Sequence, residues 1–197
     1  MSGSVASLAA AAALARGRGA SDESAVIPGI AEDGSLFPIG KLEAHRRGQK
    51  HLAISVFLFA GDQLLIQRRA FGKYHSGGLW ANTCCSHPNW QESPSDCARR
   101  RLFEELGIAA ALTPCAVIDY AADVGDGMVE NERVHIFQGE VAAPFAVSGF
   151  NRDEVQDTAW VAQPALRQEA AREPGRFTPW IRIYLDRWSE LLLPRAA

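Results

Sequence analysis

The sequence predicts an α/β (α+β) sandwich, in which a mixed central sheet lies between helices. Two observations carry this prediction: strand-like runs come first in the chain, and helical segments lie between and after them. No internal repeat is visible. The chain has 197 residues, of which 47% are hydrophobic and 22% are charged. It therefore falls in the globular class and is long enough to bury the core of one domain.

The first 30 residues are predicted to be an N-terminal extension without stable structure, and the domain is expected to span residues 31–197. The extension is rich in Ala, Ser and Gly and has no sustained apolar period. It lacks the basic region of a secretory signal, which favours a cytoplasmic protein. Its Ala, Ser and Arg content, without acidic residues before Asp22, also suits an organellar transit peptide, so this alternative stays open.

Four strands are predicted first. The runs HLAISVFLF and QLLIQRR flank Gly61-Asp62, a pair that suits a tight hairpin. The runs CAVIDYAADV and MVENERVHIFQGEVA flank a Gly-Asp-Gly turn and form a second pair. Together these runs supply the sheet of the predicted sandwich.

Three helices complete the prediction. The first begins after Ser93, a suitable N-cap that is followed by Pro94, and it ends at Gly107. The segment PALRQEAAREPG predicts a short second helix. The segment TPWIRIYLDRWSELLL predicts one longer helix with Thr178 as its cap.

The net charge and the cysteine content limit the classes of function that the protein can have. The formal net charge of −3 gives no general attraction to nucleic acid or to an acidic membrane, so an anionic substrate needs a local cluster of Lys and Arg. No apolar run reaches the roughly 18 residues of a membrane-spanning helix. The cysteines form no CxxC pair, which favours reduced thiols over a disulfide framework. They are Cys84, Cys85, Cys97 and Cys115.

The segment TCCSHP combines two thiols with an imidazole. The residue before a proline favours extended backbone, and strand side chains alternate between faces. Cys85 and His87 are therefore expected to share one face, while Cys84 points the other way. The alternative is that both thiols are small buried hydrophobic groups.

Histidines and glutamates suggest a metal site. Glu130 and Glu132 lie two apart on a predicted strand and project from one face, where a cation or a proton between them removes their repulsion. The alternative is a solvated edge strand. His45 and His51 add imidazoles, and imidazole with carboxylate suits a divalent metal such as Zn²⁺ or Mn²⁺. Each histidine alone is more often an ordinary surface or core residue.

The predicted first helix carries a longer motif. Arg101 lies four residues before Glu105 on the same helical face, which by itself indicates an ordinary ion pair. The string from Ser86 through Glu92 to Ile108 resembles the Nudix box, G-x5-E-x7-R-E-U-x-E-E-x-G-U, in which U is aliphatic. Ser86 stands at the first glycine. Arg101 stands where hydrolases of this family carry a metal-binding glutamate, which disfavours diphosphate hydrolysis.

Three further motifs make the resemblance more specific. With GLWANTCCSHP before the box, GMVENE after it and FTPW near the end, the chain resembles the type 1 isopentenyl-diphosphate isomerase family from about Lys41 to Trp188. This resemblance implies a Nudix-type α/β/α sandwich. It also implies an enzyme of isoprenoid biosynthesis that converts isopentenyl diphosphate to dimethylallyl diphosphate through a tertiary carbocation.

The resemblance further implies the site residues. Cys85 and Glu132 are expected to move protons on opposite sides of the substrate, with the cysteine as a thiolate when it acts as a base. Tyr120 is expected to hydrogen-bond the acid, and Trp180 to shield the cation. The residues implied for the substrate diphosphate are Lys41, Arg69, Lys73 and Arg101. The ligands implied for Mn²⁺ or Zn²⁺ are His45, His51, His87, Glu130 and Glu132, with Glu105 binding Mg²⁺ through the diphosphate.

Two other functions stay open at this point. One is a Nudix hydrolase of a nucleotide or prenyl diphosphate, which Arg101 disfavours. The other is a non-enzymatic metal-binding module, which would not need Glu105 or Trp180. The expected partner is a small-molecule substrate, isopentenyl diphosphate, rather than nucleic acid or a membrane, and the chain is expected to be a monomer or a homodimer.

Overall fold

The computed structural model describes residues 24–192, and within them a mixed sheet of nine strands is flanked by helices. The strands are β1 (Val26–Ile30), β2 (Leu36–Gly40), β3 (His51–Ala60), β4 (Gln63–Arg69), β5 (Trp80–Ala81), β6 (Cys84–Ser86), β7 (Thr113–Gly125), β8 (Met128–Glu140) and β9 (Val155–Ala162). The helices are α1 (Lys41–Arg47), α2 (Pro94–Leu106), α3 (Gln163–Arg172), α4 (Pro179–Arg187) and α5 (Ser189–Leu192).

The buried strand β3 is the centre of the sheet. It pairs antiparallel with β1, β4 and β6, and parallel with β8. Strand β8 pairs antiparallel with β7, and β4 with β5 and β9. Because strand side chains alternate, Phe57 and Phe59 join one hydrophobic cluster while Val56 and Leu58 join another on the opposite face.

Helices cover both of these clusters. On one face, α2 contributes Leu102 and Leu106. On the other, α3 contributes Leu166, and α4 contributes Trp180 and Tyr184. The predicted α/β/α sandwich with a mixed central sheet is therefore confirmed.

Local sequence signals set several element ends as predicted. The Ser93 hydroxyl accepts a hydrogen bond from the Asp96 backbone N–H at 3.1 Å, Pro94 is the first residue of α2, and Gly107 ends the helix in the left-handed region with φ 68°. Gly61 lies between β3 and β4 with φ 58°. A left-handed backbone at a two-residue hairpin loop favours glycine, which explains the tight turn.

The N-terminal boundary was predicted incorrectly. Strand β1 lies within the segment assigned to the extension, and Ile27 is fully buried against Ile39 and Ala44. Residues 1–23 of that extension lie outside the described residues. Strand β1 is too short to show a period, and its close approach to Phe37 at Gly29 depends on a partner strand that local sequence does not reveal.

The C-terminal helix was predicted as one segment, and the structure divides it. Helix α4 ends at Arg187, Trp188 adopts φ −131° and ψ 18°, and α5 begins at Ser189. The Gln138 side chain on β8 donates a hydrogen bond to the Leu192 carbonyl at 2.8 Å, a tertiary contact that favours the break. Thr178 precedes α4, but its hydroxyl makes no cap hydrogen bond. Among the described residues, no helix is long and apolar enough to cross a membrane.

We expect Ser93→Ala to lower the free energy of unfolding by about 1 kcal/mol, because the first turn of α2 loses a capped backbone N–H. Ser95→Ala is the matched control, since its hydroxyl lies in the same turn without capping a backbone N–H. Urea unfolding measures both variants. Equal stability of the Ser93 variant and the wild type would contradict the capping role.

Candidate active site

A cavity lies between β3, β6, β8, the connection from β4 to β5, and the start of α4. Most of the predicted site residues line it. These are Lys41, Arg69, Lys73, Cys85, His87, Arg101, Tyr120, Glu130, Glu132 and Trp180. The other three are His45, His51 and Glu105, which are buried behind the cavity wall.

The register of β7 against β8 brings a tyrosine between two buried carboxyl groups. Tyr120 lies directly opposite Glu132, and its hydroxyl oxygen is 2.7 Å from Oε2 of both Glu130 and Glu132. A hydroxyl has one hydrogen to donate, so the second short contact requires a proton on one carboxyl group. The three side chains therefore hold a shared proton.

Electrostatics indicate which carboxyl group carries that proton. Burial and the charge of Glu132 raise the pKa of Glu130 well above its usual range. Burial also acts to raise the pKa of Glu132, but the contacts that His51 and His87 make with its carboxylate outweigh it and leave that pKa well below its usual range. Glu130 is therefore the neutral member of the pair and Glu132 the ionised one.

Backbone carbonyls fix the tautomers of two histidines. His45 Nδ1 is 2.7 Å from the Lys41 carbonyl oxygen, and His51 Nδ1 is 2.7 Å from the Gln49 carbonyl oxygen. A carbonyl only accepts, so each Nδ1 carries the hydrogen. Each Nε2 therefore presents a lone pair to the interior.

These lone pairs converge on one point. His51 Nε2 is 3.2 Å from His87 Nε2, which is 2.9 Å from Glu132 Oε1. One donor atom from each of these residues and from His45 lies within 4.8 Å of the others. His45 Nε2 is buried and has no hydrogen-bond partner among the described residues. This arrangement can hold a divalent cation, because three imidazoles and a carboxylate are the donor set that transition metals favour.

Burial also keeps the imidazoles in the form that binds metal. It lowers the pKa of His45 to about 4 and lowers the pKa of His87 well below its usual value. Neutral imidazole has a lone pair to donate, whereas imidazolium does not. These two imidazoles are therefore ready to bind a cation at neutral pH.

The two adjacent cysteines point to opposite faces of β6, as strand alternation predicted. Cys84 is fully buried in the cluster beneath α2. Cys85 lies opposite Ser55 and reaches the cavity, where its thiol donates a hydrogen bond to Asn82 Oδ1 at 2.9 Å. The Ser55 hydroxyl oxygen is 3.4 Å from Cys85 Sγ and 3.0 Å from the Tyr184 hydroxyl oxygen.

The expected thiolate form of Cys85 is not the one that this environment favours. Burial raises the pKa of Cys85 to about 12. At neutral pH the residue is therefore a thiol in the structure described. The expectation of a thiolate did not include the cost of removing that charge from water.

The basic residues at the cavity already have partners. The Arg69 guanidinium lies 5.2 Å from the centre of the Trp180 ring. Lys73 Nζ is 2.7 Å from Glu154 Oε2, and Arg101 Nη2 is 3.2 Å from Glu154 Oε1. One carboxylate thus lies between two of the cations predicted to bind diphosphate.

The carboxylates of the altered Nudix box also form ion pairs. Arg101 contacts Glu104 at 3.0 Å and Glu105 at 2.8 Å, and Gln67 donates a hydrogen bond to Glu105 at 2.9 Å. Among the described residues that line the cavity, Arg101 is present and its ion-pair partner Glu105 is not. Its role with Mg²⁺ stays a prediction.

Several lining residues were not identified from the sequence. His75 and Tyr74 come from the long connection between β4 and β5, and Glu154 comes from the loop before β9. Loop residues of this kind carry no periodic signal. Ser55 did carry one, since it is a polar residue within an apolar, fully buried strand, where a hydroxyl needs a partner.

Comparison with known proteins first identifies the class. The NUDIX domain family matches residues 49–181. The crystal structure of DR0079 from Deinococcus radiodurans superposes with a TM-score of 0.65 at 15% identity, covering 82% of this chain and 98% of that one. A MutT NUDIX hydrolase from Burkholderia pseudomallei superposes with a TM-score of 0.53 at 22% identity, covering 71% and 98%. At these identities the likeness establishes the fold alone.

Proteins of similar sequence identify the family within this class. The chain is 54% identical over 154 residues to an isopentenyl-diphosphate Delta-isomerase from Cereibacter sphaeroides, covering 78% of this chain and 86% of the relative. It is 52% identical over 167 residues to the enzyme of that name from Dinoroseobacter shibae, covering 84% and 94%. The chain therefore belongs to the isopentenyl-diphosphate Delta-isomerase family of NUDIX-domain proteins.

The cluster of His45, His51, His87 and Glu132 is called the His/Glu centre below. We expect divalent cations to raise the stability of the protein by binding there. A ligand at one hundred times its dissociation constant adds about 2.7 kcal/mol to the free energy of unfolding. Thermal unfolding with Mn²⁺ or Zn²⁺, compared with excess chelator, measures this gain. His51→Ala should lose most of it, while His135→Ala, a half-buried histidine outside the cluster, should retain it. An equal gain in both variants would exclude the His/Glu centre as the source.

Proposed function

We propose that this protein isomerises isopentenyl diphosphate to dimethylallyl diphosphate in isoprenoid biosynthesis. The observation that carries the proposal is that Cys85 and Glu132 line one cavity together with Trp180 and a cluster of cations. The identity of the sequence relatives supports the same reaction. We also propose a cytoplasmic location and a monomeric or homodimeric state.

The reaction needs two groups that exchange protons with the substrate. One proton adds to the terminal carbon of the alkene, a tertiary cation forms at the neighbouring carbon, and one proton leaves the next carbon. The double bond moves and the total proton count is unchanged. Cys85 and Glu132 are proposed as the two groups, and because the reaction is reversible each acts as acid in one direction and as base in the other.

Tyr120 and Glu130 support Glu132 in this role. The shared hydrogen bonds at 2.7 Å allow a proton to pass from Glu130 through the Tyr120 hydroxyl to Glu132. Glu132 can therefore receive a proton from within the buried group before it gives one to the substrate. Ser55 and Asn82 orient the Cys85 thiol in the same way on its own side.

Trp180 is proposed to stabilise the carbocation. An aromatic face attracts a cation, and the contribution rises when water is excluded. Its indole already contacts a cation, the Arg69 guanidinium at 5.2 Å. Tyr184 and Tyr74 add further aromatic lining, which limits the access of water that would capture the cation.

Lys41, Arg69, Lys73 and Arg101 are proposed to hold the substrate diphosphate. Arg binds phosphate oxygens through paired N–H groups, and Lys acts as a point charge. Mg²⁺ is proposed to accompany the diphosphate, and Mn²⁺ or Zn²⁺ to occupy the His/Glu centre. Bound there, the second cation would supply positive charge that favours the ionised form of Glu132. Lys73 and Arg101 would exchange their contact with Glu154 for contacts with phosphate.

The altered box argues against diphosphate hydrolysis. The guanidinium of Arg101 pairs with the carboxylates of Glu104 and Glu105. A hydrolase of this class would need such carboxylates for cations that activate water. A cation bound there would meet the positive charge of Arg101, which suits an enzyme that must hold a diphosphate without cleaving it.

The direct test is incubation of the purified, metal-loaded protein with isopentenyl diphosphate and Mg²⁺, followed by chromatographic analysis of the product. Dimethylallyl diphosphate without phosphate release supports the isomerase. Phosphate release in place of an isomer would identify a hydrolase. Neither product from folded protein would overturn the proposed function.

We expect mutation of the two adjacent cysteines to have different effects. We expect Cys85→Ala to reduce kcat by at least about 100-fold, because a proton-transfer group typically contributes 10²–10⁴-fold. Cys85→Ser should also be impaired, since a hydroxyl ionises less readily than a thiol. Cys84→Ala should keep turnover and lose about 1–2 kcal/mol of stability through the small cavity it leaves. Steady-state kinetics and urea unfolding measure both effects, and a Cys85→Ala variant near wild-type rate would refute the assignment.

Arg101→Gln should reduce kcat/KM by about 10- to 100-fold, because a hydrogen bond from a charged group contributes about 1.5–3 kcal/mol. Arg99→Gln is the matched control: it lies on the same helix, and its ion pair with Asp96 is exposed. Urea unfolding separates a loss of substrate contact from a loss of fold. If both variants keep wild-type kcat/KM, Arg101 does not contact the diphosphate.

A further inference from the structure

His75 is a buried histidine at the cavity to which the family resemblance gives no role. The chain has five histidines. His45, His51, His75 and His87 lie together, and His75 is only 5% exposed. A buried imidazole nitrogen needs a partner, and Nδ1 of His75 has one in the Ser76 hydroxyl oxygen at 3.3 Å.

The other ring nitrogen of His75, Nε2, faces a glutamate oxygen. His75 Nε2 is 3.7 Å from Glu130 Oε1, while the other oxygen of Glu130 contacts Tyr120 at 2.7 Å. His45, His75 and Glu130 each present one donor atom within 4.8 Å of the others. The His45 and His75 rings stack at 5.5 Å with an angle of 28°. These three side chains form a second group of possible metal ligands.

This second group shares His45 with the first. His45 Nδ1 carries the hydrogen that the Lys41 carbonyl accepts, so only Nε2 has a lone pair. One lone pair binds one cation. Two ions cannot both use His45, so a cation held by His45 would lie beside both groups.

We propose that His75 is a sixth protein ligand of the His/Glu metal centre. The donors are then four imidazole nitrogens and two carboxylate oxygens, six in all, from His45, His51, His75, His87, Glu130 and Glu132. The inference rests on the proposed cation at this centre and not on the reaction.

The donor set specifies the ion and its role. Imidazole-rich sites favour transition metals over Mg²⁺, which prefers oxygen donors and retains several waters. Six protein donors would fill the positions around such an ion and leave none for water or substrate. The centre therefore acts on Glu132 through charge and position, and the diphosphate is bound elsewhere, at the basic residues.

The competing explanation is that His75 only packs. Its ring meets Trp180 edge-on at 6.0 Å and Tyr74 edge-on at 4.5 Å. A phenylalanine would fill such a position without burying a polar nitrogen. Packing alone thus does not account for an imidazole whose Nε2 is directed toward a carboxylate.

The test uses the full chain loaded with Mn²⁺, with His75→Ala and His75→Phe compared against His135→Ala as the matched histidine control. Chelator competition gives the dissociation constant. Pulsed electron paramagnetic resonance counts bound imidazoles, and water-proton relaxation detects water on the ion. We expect four imidazoles and no bound water in wild type and in His135→Ala. We expect three imidazoles, at least about tenfold weaker binding and one exchangeable water in His75→Ala.

The outcomes separate the inference from the proposed function. One outcome is that wild type binds Mn²⁺ and both His75 variants bind it with the same affinity, the same number of imidazoles and no bound water. In that case His75 is a packing residue and only the inference fails. If wild type binds neither Mn²⁺ nor Zn²⁺, the proposed centre and the inference both fail. His75→Phe keeps an aromatic ring against Trp180, so it provides the readout if His75→Ala does not fold.

Discussion

The burial of two carboxyl groups beside four imidazoles is the constraint on which the rest of this site depends. Taking an isolated charge out of water costs several kcal/mol even after the protein relaxes. The parallel pairing of β3 with β8 places His51 beside Glu132, and the antiparallel pairing of β7 with β8 places Tyr120 there as well. Shared protons and donated hydrogen bonds offset the cost for the protein alone. A bound cation would offset it further, which links metal binding to stability.

The fold is shared with hydrolases, and a few side chains distinguish the chemistry. Function belongs to the site rather than to the architecture. Arg101 lies where the hydrolase pattern carries a carboxylate, and its contacts with Glu104 and Glu105 change an acidic helix face into a neutralised one. The two residues proposed to move protons, Cys85 and Glu132, lie instead on the sheet. The helix that would activate water in a hydrolase here presents a cation to the cavity.

The sequence predicted those features that local chemistry determines. Ser93 and Gly107 bound α2 because a cap and a left-handed residue act within one turn of the helix. Strand alternation likewise separated Cys84 from Cys85. The strand β1, the break at Trp188 and the position of His75 depend on contacts between distant segments, and no local pattern encodes them. The resemblance named most of the residues that line the cavity, but it did not show that Glu154 lies between two of the cations.

Arg69 contacts two parts of the cavity wall, Trp180 on α4 and His75 in the connection between β4 and β5. Its guanidinium lies against the Trp180 indole, and it also donates a hydrogen bond to the His75 carbonyl at 3.3 Å. A diphosphate attracts this guanidinium more strongly than an aromatic face does, because a charged acceptor strengthens each hydrogen bond. If Arg69 binds the substrate diphosphate as proposed, its guanidinium would turn toward phosphate and leave the indole face free for the cation that forms on the substrate. Binding energy from the non-reacting diphosphate would then prepare the surface that stabilises the transition state, which is how remote contacts raise kcat as well as affinity.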